Sequence, residues 1–189
     1  MNNSVLPGLM HVDHVALTVP DLDRAVDFYR DVMGAVELYR LGPFDAASMP
    51  RGPDGSDWTE AHLRVPGARL QLVMLALGSN LMLELFRYEL PGDARQIPPR
   101  NCDLGASHIA FKVASMDAAL AHLRRAGVAT MAGPVAVTSG PCAGLRINYF
   151  LDPFGNQLEL VEYGELPFMR DTTAALYARG AGHQERKRG

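Results

Sequence analysis

The sequence predicts an α+β fold in which one unit, of order βαβββ, occurs twice in tandem. Three observations carry that reading. A strand-like opening, His14-Val-Ala-Leu-Thr-Val19, returns as His108-Ile-Ala-Phe-Lys-Val113. Each opening is followed by an Asp, Asp23 and Asp117, that leads into a helical pattern. Later, Leu83-Glu84-Leu85 with Tyr88 returns as Leu158-Glu159-Leu160 with Tyr163. At a constant spacing of 94 residues, His14/His108, Ala16/Ala110, Val19/Val113, Asp23/Asp117, Ala25/Ala119 and Arg30/Arg124 are identical. Two kinds of matching segment, in the same order in both halves, mark a duplicated module.

The elements follow in order. Val12 to Val19 alternates as a strand, with His14, Ala16 and Thr18 on one face and Val15, Leu17 and Val19 on the other. Asp21 suits the N-cap of a helix in which Ala25, Phe28, Tyr29 and Val32 form one apolar stripe, and Gly34 ends it. Strands are expected at Ala35 to Leu41, Arg69 to Leu77 and Leu81 to Tyr88, the last two joined by the turn Gly78-Ser79-Asn80. In the second half the strand His108 to Val113 precedes a helix over Asp117 to Ala126, with Leu120 and Leu123 inward and Gly127 after it. Strands near Val135 to Thr138, Leu145 to Leu151 and Gln157 to Tyr163 complete the unit, and Asp152-Pro-Phe-Gly-Asn156 turns between the last two.

These elements divide the chain into an N-terminal arm (1–9), a first module (10–90), a linker (91–106), a second module (107–163) and a C-terminal extension (164–189). Residues 42–58, rich in Gly, Pro, Asp and Ser and ending at the only tryptophan, Trp58, read as a loop insertion. The extension carries a short helical pattern at Arg170 to Arg179 and a charged run, Gln184 to Arg188.

Of the 189 residues, 48% are hydrophobic and 21% charged, a globular balance that excludes wholesale disorder and coiled coil. With 18 Lys and Arg against 21 Asp and Glu, no basic excess exists for a nucleic-acid partner. Cys102 and Cys142 form no CxxC spacing and read as reduced thiols of a cytoplasmic protein. The first ten residues lack the basic and apolar regions of a signal peptide, and Leu70 to Leu77 is too short to span a bilayer. A soluble protein with no membrane partner is expected.

His14 and His108 open equivalent first strands, and Glu84 and Glu159 lie within equivalent last strands. A carboxylate between two leucines is unusual on a core strand, because charged groups are rarely buried unless paired or metal-bound. Two imidazoles and two carboxylates provide mixed N/O donors that Zn²⁺, Ni²⁺, Co²⁺, Mn²⁺ or Fe²⁺ accept, with room for substrate oxygens.

The segments Asp13-His14-Val15-Ala16-Leu17, Ser107-His108-Ile109-Ala110-Phe111 and Asp152-Pro-Phe-Gly-Asn-Gln-Leu-Glu159 resemble the vicinal oxygen chelate superfamily, over about Met10 to Tyr163. That superfamily includes glyoxalase I, methylmalonyl-CoA epimerase, extradiol dioxygenases, and fosfomycin and bleomycin resistance proteins. The resemblance implies a curled mixed sheet around a metal-binding cleft. It also implies one divalent ion, Zn²⁺ or Ni²⁺ foremost, held by His14, Glu84, His108 and Glu159, the His/Glu/His/Glu set of bacterial-type glyoxalase I. By the same resemblance a substrate with adjacent oxygens chelates the ion, Glu159 is the first candidate for the base that moves a proton α to a carbonyl, and Glu84 is its acid/base partner.

A glyoxalase-like lyase, isomerase or epimerase is therefore expected. Its substrate is not glutathione-linked, because Thr18, Tyr88 and Leu104 stand where glyoxalase I holds glutathione with Arg, Asn and Arg. Glu84 also departs from the Gln usual at this position in methylmalonyl-CoA epimerase. Two alternatives remain. Tyr149 matches a tyrosine of the iron-dependent extradiol dioxygenases, although Ser139-Gly140-Pro141 replaces their catalytic His and Glu84 crowds the positions O₂ needs. A metal-free drug-binding protein is the other, against which the complete ligand set counts. The pocket is expected to be apolar, from Leu17, Phe44, Trp58, Phe86, Tyr88, Phe111 and Tyr149, with Arg87 or Arg146 available for a substrate carboxylate. A homodimer is expected, since an exposed apolar strand edge favours one.

Overall fold

The structure is a computed structural model that describes residues 6–164. The expected helical pattern at Arg170 to Arg179 and the charged run beyond it lie outside the described residues. The chain divides into two compact units, Met1–Ala94 and Arg95–Gly189.

The first unit runs β1 (His14–Thr18), α1 (Leu22–Asp27) continued by a π-helical turn (Phe28–Val32), β2 (Val36–Asp45), a 3-10 turn (Ala46–Ser48), α2 (Trp58–Leu63), β3 (Arg69–Leu77) and β4 (Leu81–Leu90). The second runs β5 (Ile109–Lys112), α3 (Met116–Arg125), β6 (Val135–Ala136), β7 (Leu145–Leu151) and β8 (Gln157–Tyr163). Each unit holds a four-stranded mixed sheet of the same topology, in the order β1-β4-β3-β2 and β5-β8-β7-β6. The first strand pairs parallel with the last, and the other pairs are antiparallel. A parallel pair needs a crossover, which the helix after the first strand begins.

Burial follows strand alternation. Val73, Leu75, Leu83 and Leu85 are fully buried, and α1 packs on β3 and β4 through Leu22, Ala25 and Val26. In the second unit Phe150, Leu158 and Leu160 are buried, as are Met116, Leu120 and Leu123 of α3. The caps are local. Asp21 accepts from the Arg24 N–H at 3.0 Å, and Ser115 from that of Ala118 at 3.3 Å. The second cap starts α3 at Met116, one residue before the expected start. The repeated aspartates both take a sheet arginine, Asp23 from Arg40 at 2.6 Å and Asp117 from Arg146 at 2.8 Å. These pairs are largely exposed, so they orient the first helical turn more than they stabilise it.

Two elements exceed the expectation in the 42–58 segment. β2 continues to Asp45 because Gly42-Pro43 is taken up by a register shift between Leu41 and Phe44. Gly42 has φ +102°, and a Cβ there would lie 2.9 Å from the Leu70 carbonyl oxygen, so only glycine fits this approach. The short helix α2 follows from Trp58, the last residue of that segment, into a stretch for which the sequence predicts no element. β6 is shorter than the expected Val135 to Thr138. Among the described residues, no helix is long and apolar enough to cross a membrane.

Candidate metal and catalytic site

In the first unit Ala16 lies opposite Glu84 across the parallel β1–β4 pair, and His14 sits two residues earlier on the same strand face. The alanine leaves space above the sheet, and the imidazole reaches the carboxylate with Nε2 3.3 Å from Glu84 Oε2. The other ring nitrogen, Nδ1, lies 2.8 Å from Asp13 Oδ1. That hydrogen bond raises the pKa of His14 against a smaller opposing effect of burial, and the charges of Glu84 and Asp13 add to the rise. Glu84 has Met74 opposite it on β3. Phe86 and Tyr88 follow on its own strand face, their rings 5.9 Å apart. Burial pushes the Tyr88 phenol up, and the Glu84 charge adds to this.

The second unit repeats the arrangement in the same register, with Ala110 opposite Glu159. His108 Nε2 lies 3.1 Å from Glu159 Oε2. Tyr149 stands directly opposite Glu159 on β7, and its ring meets that of His108 edge to face at 5.4 Å. Burial raises the pKa of the Tyr149 phenol, and the charge of Glu159 and a hydrogen bond to it raise it further. The side chains of Glu84 and Glu159 are only 14% and 10% exposed. Among the described residues the ion-pair partner of each is its histidine.

The four expected ligands are thus brought together as two pairs, His14 with Glu84 and His108 with Glu159. No group of three or more His, Cys, Asp or Glu side chains that could hold a metal gathers among the described residues. The pairs themselves fit an ion. Donors bound at about 2.0–2.2 Å in tetrahedral or octahedral geometry lie roughly 2.8–3.6 Å from one another, and 3.3 and 3.1 Å fall in that range. The Asp13 bond to the far nitrogen of His14 has the form of a carboxylate–histidine–metal relay, in which the outer carboxylate fixes ring orientation.

The other expected contacts divide. Phe86, Tyr88 and Tyr149 share the strand faces of the carboxylates. Leu17 and Phe111 pair instead with Leu85 and Leu160, on the opposite faces. Arg87 pairs with Glu89, and Arg146 with Asp117 and Glu162, so both arginines are engaged within their own unit.

Asp57, which no sequence motif above includes, organises the segment before β3. Its Oδ1 accepts from the Thr59 hydroxyl at 2.6 Å and the Glu60 N–H at 2.8 Å. Its Oδ2 accepts from the Gly67 N–H at 2.8 Å. Thr59 Oγ1 in turn accepts from the Ala68 N–H at 3.1 Å. The N-terminus of α2 is thereby tied to the chain entering β3, with Trp58 set against Phe44 at 6.1 Å. The Thr59 hydroxyl, then the Glu60 and Gly67 N–H groups, pull the Asp57 pKa down to about 2. A folded-state pKa below the unfolded one stabilises at neutral pH, and that stability is lost as pH falls from about 4 towards about 2. Asp57→Ala is expected to melt several degrees lower at pH 7 and to show a flatter dependence of melting temperature on pH below 4. Thermal melts of both proteins across that range read this, and parallel curves would exclude the hub role.

The glyoxalase/bleomycin resistance protein/dioxygenase superfamily matches residues 11–160. The chain belongs to this superfamily, whose members typically bind a divalent metal. It is 43% identical, over 94% of its length and 93% of the relative's, to a 2-epi-5-epi-valiolone epimerase of Actinomyces sp. An uncharacterised Escherichia coli protein, YaeR, is 30% identical over 82% of this chain and 98% of its own. A glyoxalase family protein from Bacillus cereus shares the fold with a TM-score of 0.65 at 19% identity, over 87% of this chain and 99% of that one. The chain is an isomerase-type enzyme of the superfamily, acting on a small molecule.

Proposed function

We propose that the protein is a divalent-metal-dependent epimerase of a hydroxylated cyclic ketone of the valiolone type. It would invert a carbon α to the carbonyl. The observation that carries the reading is the duplicated His–Glu pair at metal-donor spacing, 3.3 and 3.1 Å, at equivalent positions of the two repeats, in a chain 43% identical to an epimerase. We assign His14, Glu84, His108 and Glu159 together as the donors of one ion, Zn²⁺ or Ni²⁺ foremost. A bound ion would supply Lewis-acid charge to the adjacent carbonyl and hydroxyl oxygens of such a substrate.

The chain's own groups do the rest. One carboxylate of the Glu159 and Glu84 pair takes the α-proton on one face of the substrate, and the other returns a proton on the opposite face. Removal and return leave an isomer, so no oxidant or reductant is required. The apolar surroundings of the carboxylates, with Met74, Phe86 and Tyr88 beside Glu84, keep water from competing for that proton. Glutathione stays outside the proposal, because Thr18, Tyr88 and the fully exposed Leu104 offer no charged clamp. A cytoplasmic homodimer completes the reading, supported by the exposed apolar side chains of the edge strand β2, among them Val36, Leu38 and Leu41.

Elemental analysis of protein purified without chelator tests the site. About one Zn, Ni, Co or Mn per site is expected in the wild type, and loss of it in both Glu84→Ala and His108→Ala. Iron kept by Glu84→Ala but lost by His108→Ala would favour a dioxygenase instead. Wild-type protein that takes up no ion even from excess divalent salt would sink the proposal.

A further inference from the structure

We propose that Tyr149 is a positioning residue that fixes the Glu159 carboxylate, making His108/Glu159 the pre-set half of the metal site. The inference rests on the metal reading above and concerns how unlike its two halves are.

Three placements support it. Tyr149 and Glu159 are direct cross-strand partners on the antiparallel β7–β8 pair, which sets their Cβ atoms about 5 Å apart on one face. The same ring lies edge-on to His108 at 5.4 Å, with the planes at 82°. One side chain therefore touches both members of the pair. Its hydroxyl is close enough to Glu159 for that charge to add to the effect of burial in raising the phenol's pKa, so it can donate to the carboxylate and restrict rotation about its last torsion.

The first module lacks this device. Met74 occupies the equivalent position, opposite Glu84, and a thioether has no proton to donate. Tyr88 senses the charge of Glu84 but sits four residues along the strand. The outer partner there is Asp13, on the histidine, at 2.8 Å. Ser107 stands where a second copy of Asp13 would be. The protein thus fixes the imidazole in one half and the carboxylate in the other. Outer-shell partners of this kind are typically worth about 10–100-fold in metal affinity.

The test is metal affinity itself. Dissociation constants for Zn²⁺ and Co²⁺ are measured by competition with a chromophoric chelator, for the wild type, Tyr149→Phe and Tyr88→Phe. Tyr149→Phe is expected to bind about tenfold more weakly, with an altered Co²⁺ visible spectrum, while Tyr88→Phe stays within about twofold of the wild type. Melting temperatures without metal should match, which separates lost positioning from lost folding. Should the phenylalanine variant not fold, Tyr149→Met copies the residue of the first module and is read in the same way. Equal affinity and an unchanged spectrum in the Tyr149 variant would overturn the inference and leave the metal site standing. A wild type that binds neither ion overturns the metal reading, and this inference with it.

Discussion

Under the proposed function, Glu159→Gln is expected to lower epimerisation of an α-hydroxyketone substrate by about 10²- to 10⁴-fold, and Glu84→Gln to do the same. The substitution keeps the size of the side chain and one oxygen donor while removing the group that accepts a proton. The two variants therefore separate proton transfer from metal holding, which His108→Ala cannot do. The reaction is followed in D₂O, with deuterium at the α-carbon and inversion of that carbon read separately by NMR. Carboxylates working on opposite faces leave a signature. The variant that keeps its proton-removing group still exchanges the α-proton for deuterium, with retained configuration, while inversion stops. The other variant loses exchange and inversion together. Inversion within about tenfold of the wild type in both variants would assign the proton to other groups. The glutamates would then be ligands only.

The fold was legible because duplication turns weak patterns into a coherent one. A lone His or a lone Glu on a strand carries little information. His14/His108 and Glu84/Glu159 recur in the same order within the same pattern, and the structure returns the two glutamates in the same register, opposite Ala16 and Ala110. What the sequence concealed lies where the modules differ. The helix α2 was masked by the Gly- and Pro-rich run before it, although Asp57-Trp-Thr-Glu60 has the spacing of a capping box that would have revealed it. β2 was cut short at Gly42-Pro43, because a bulge that adds one residue to the strand is set by the partner strand and leaves no local mark. The contact of Tyr149 with Glu159 depends on β7–β8 register. Alternation places each residue on a face, but only pairing says which of them meet. Leu17 and Phe111 show the converse, since their own strand alternation already set them opposite His14 and His108, on the faces away from the carboxylates.

Leu85→Ala and Glu84→Leu, changes at adjacent positions of β4, are expected to move stability in opposite directions. Leu85 is fully buried among Val73, Leu75 and Leu83 beneath α1. Truncating such a leucine removes its transfer energy and leaves a cavity, a cost of about 2–5 kcal/mol. For a chain of this length that lowers the melting temperature by roughly 5–15 °C. Glu84, one residue away on the opposite face, is 14% exposed and has Met74, Phe86 and Tyr88 for neighbours. A carboxylate held among such groups is poorly hydrated, and an apolar side chain of similar reach removes that cost. His14 is 40% exposed, so losing its partner leaves a hydrated imidazole rather than an orphan. Metal-free Glu84→Leu should therefore melt at or above the wild-type temperature, and it should no longer bind a divalent ion. A fall as large as that of Leu85→Ala would make Glu84 part of the scaffold. A neutral or positive shift, with metal binding lost, would mean that the carboxylate is kept at the expense of stability. Proteins retain such residues where function demands them.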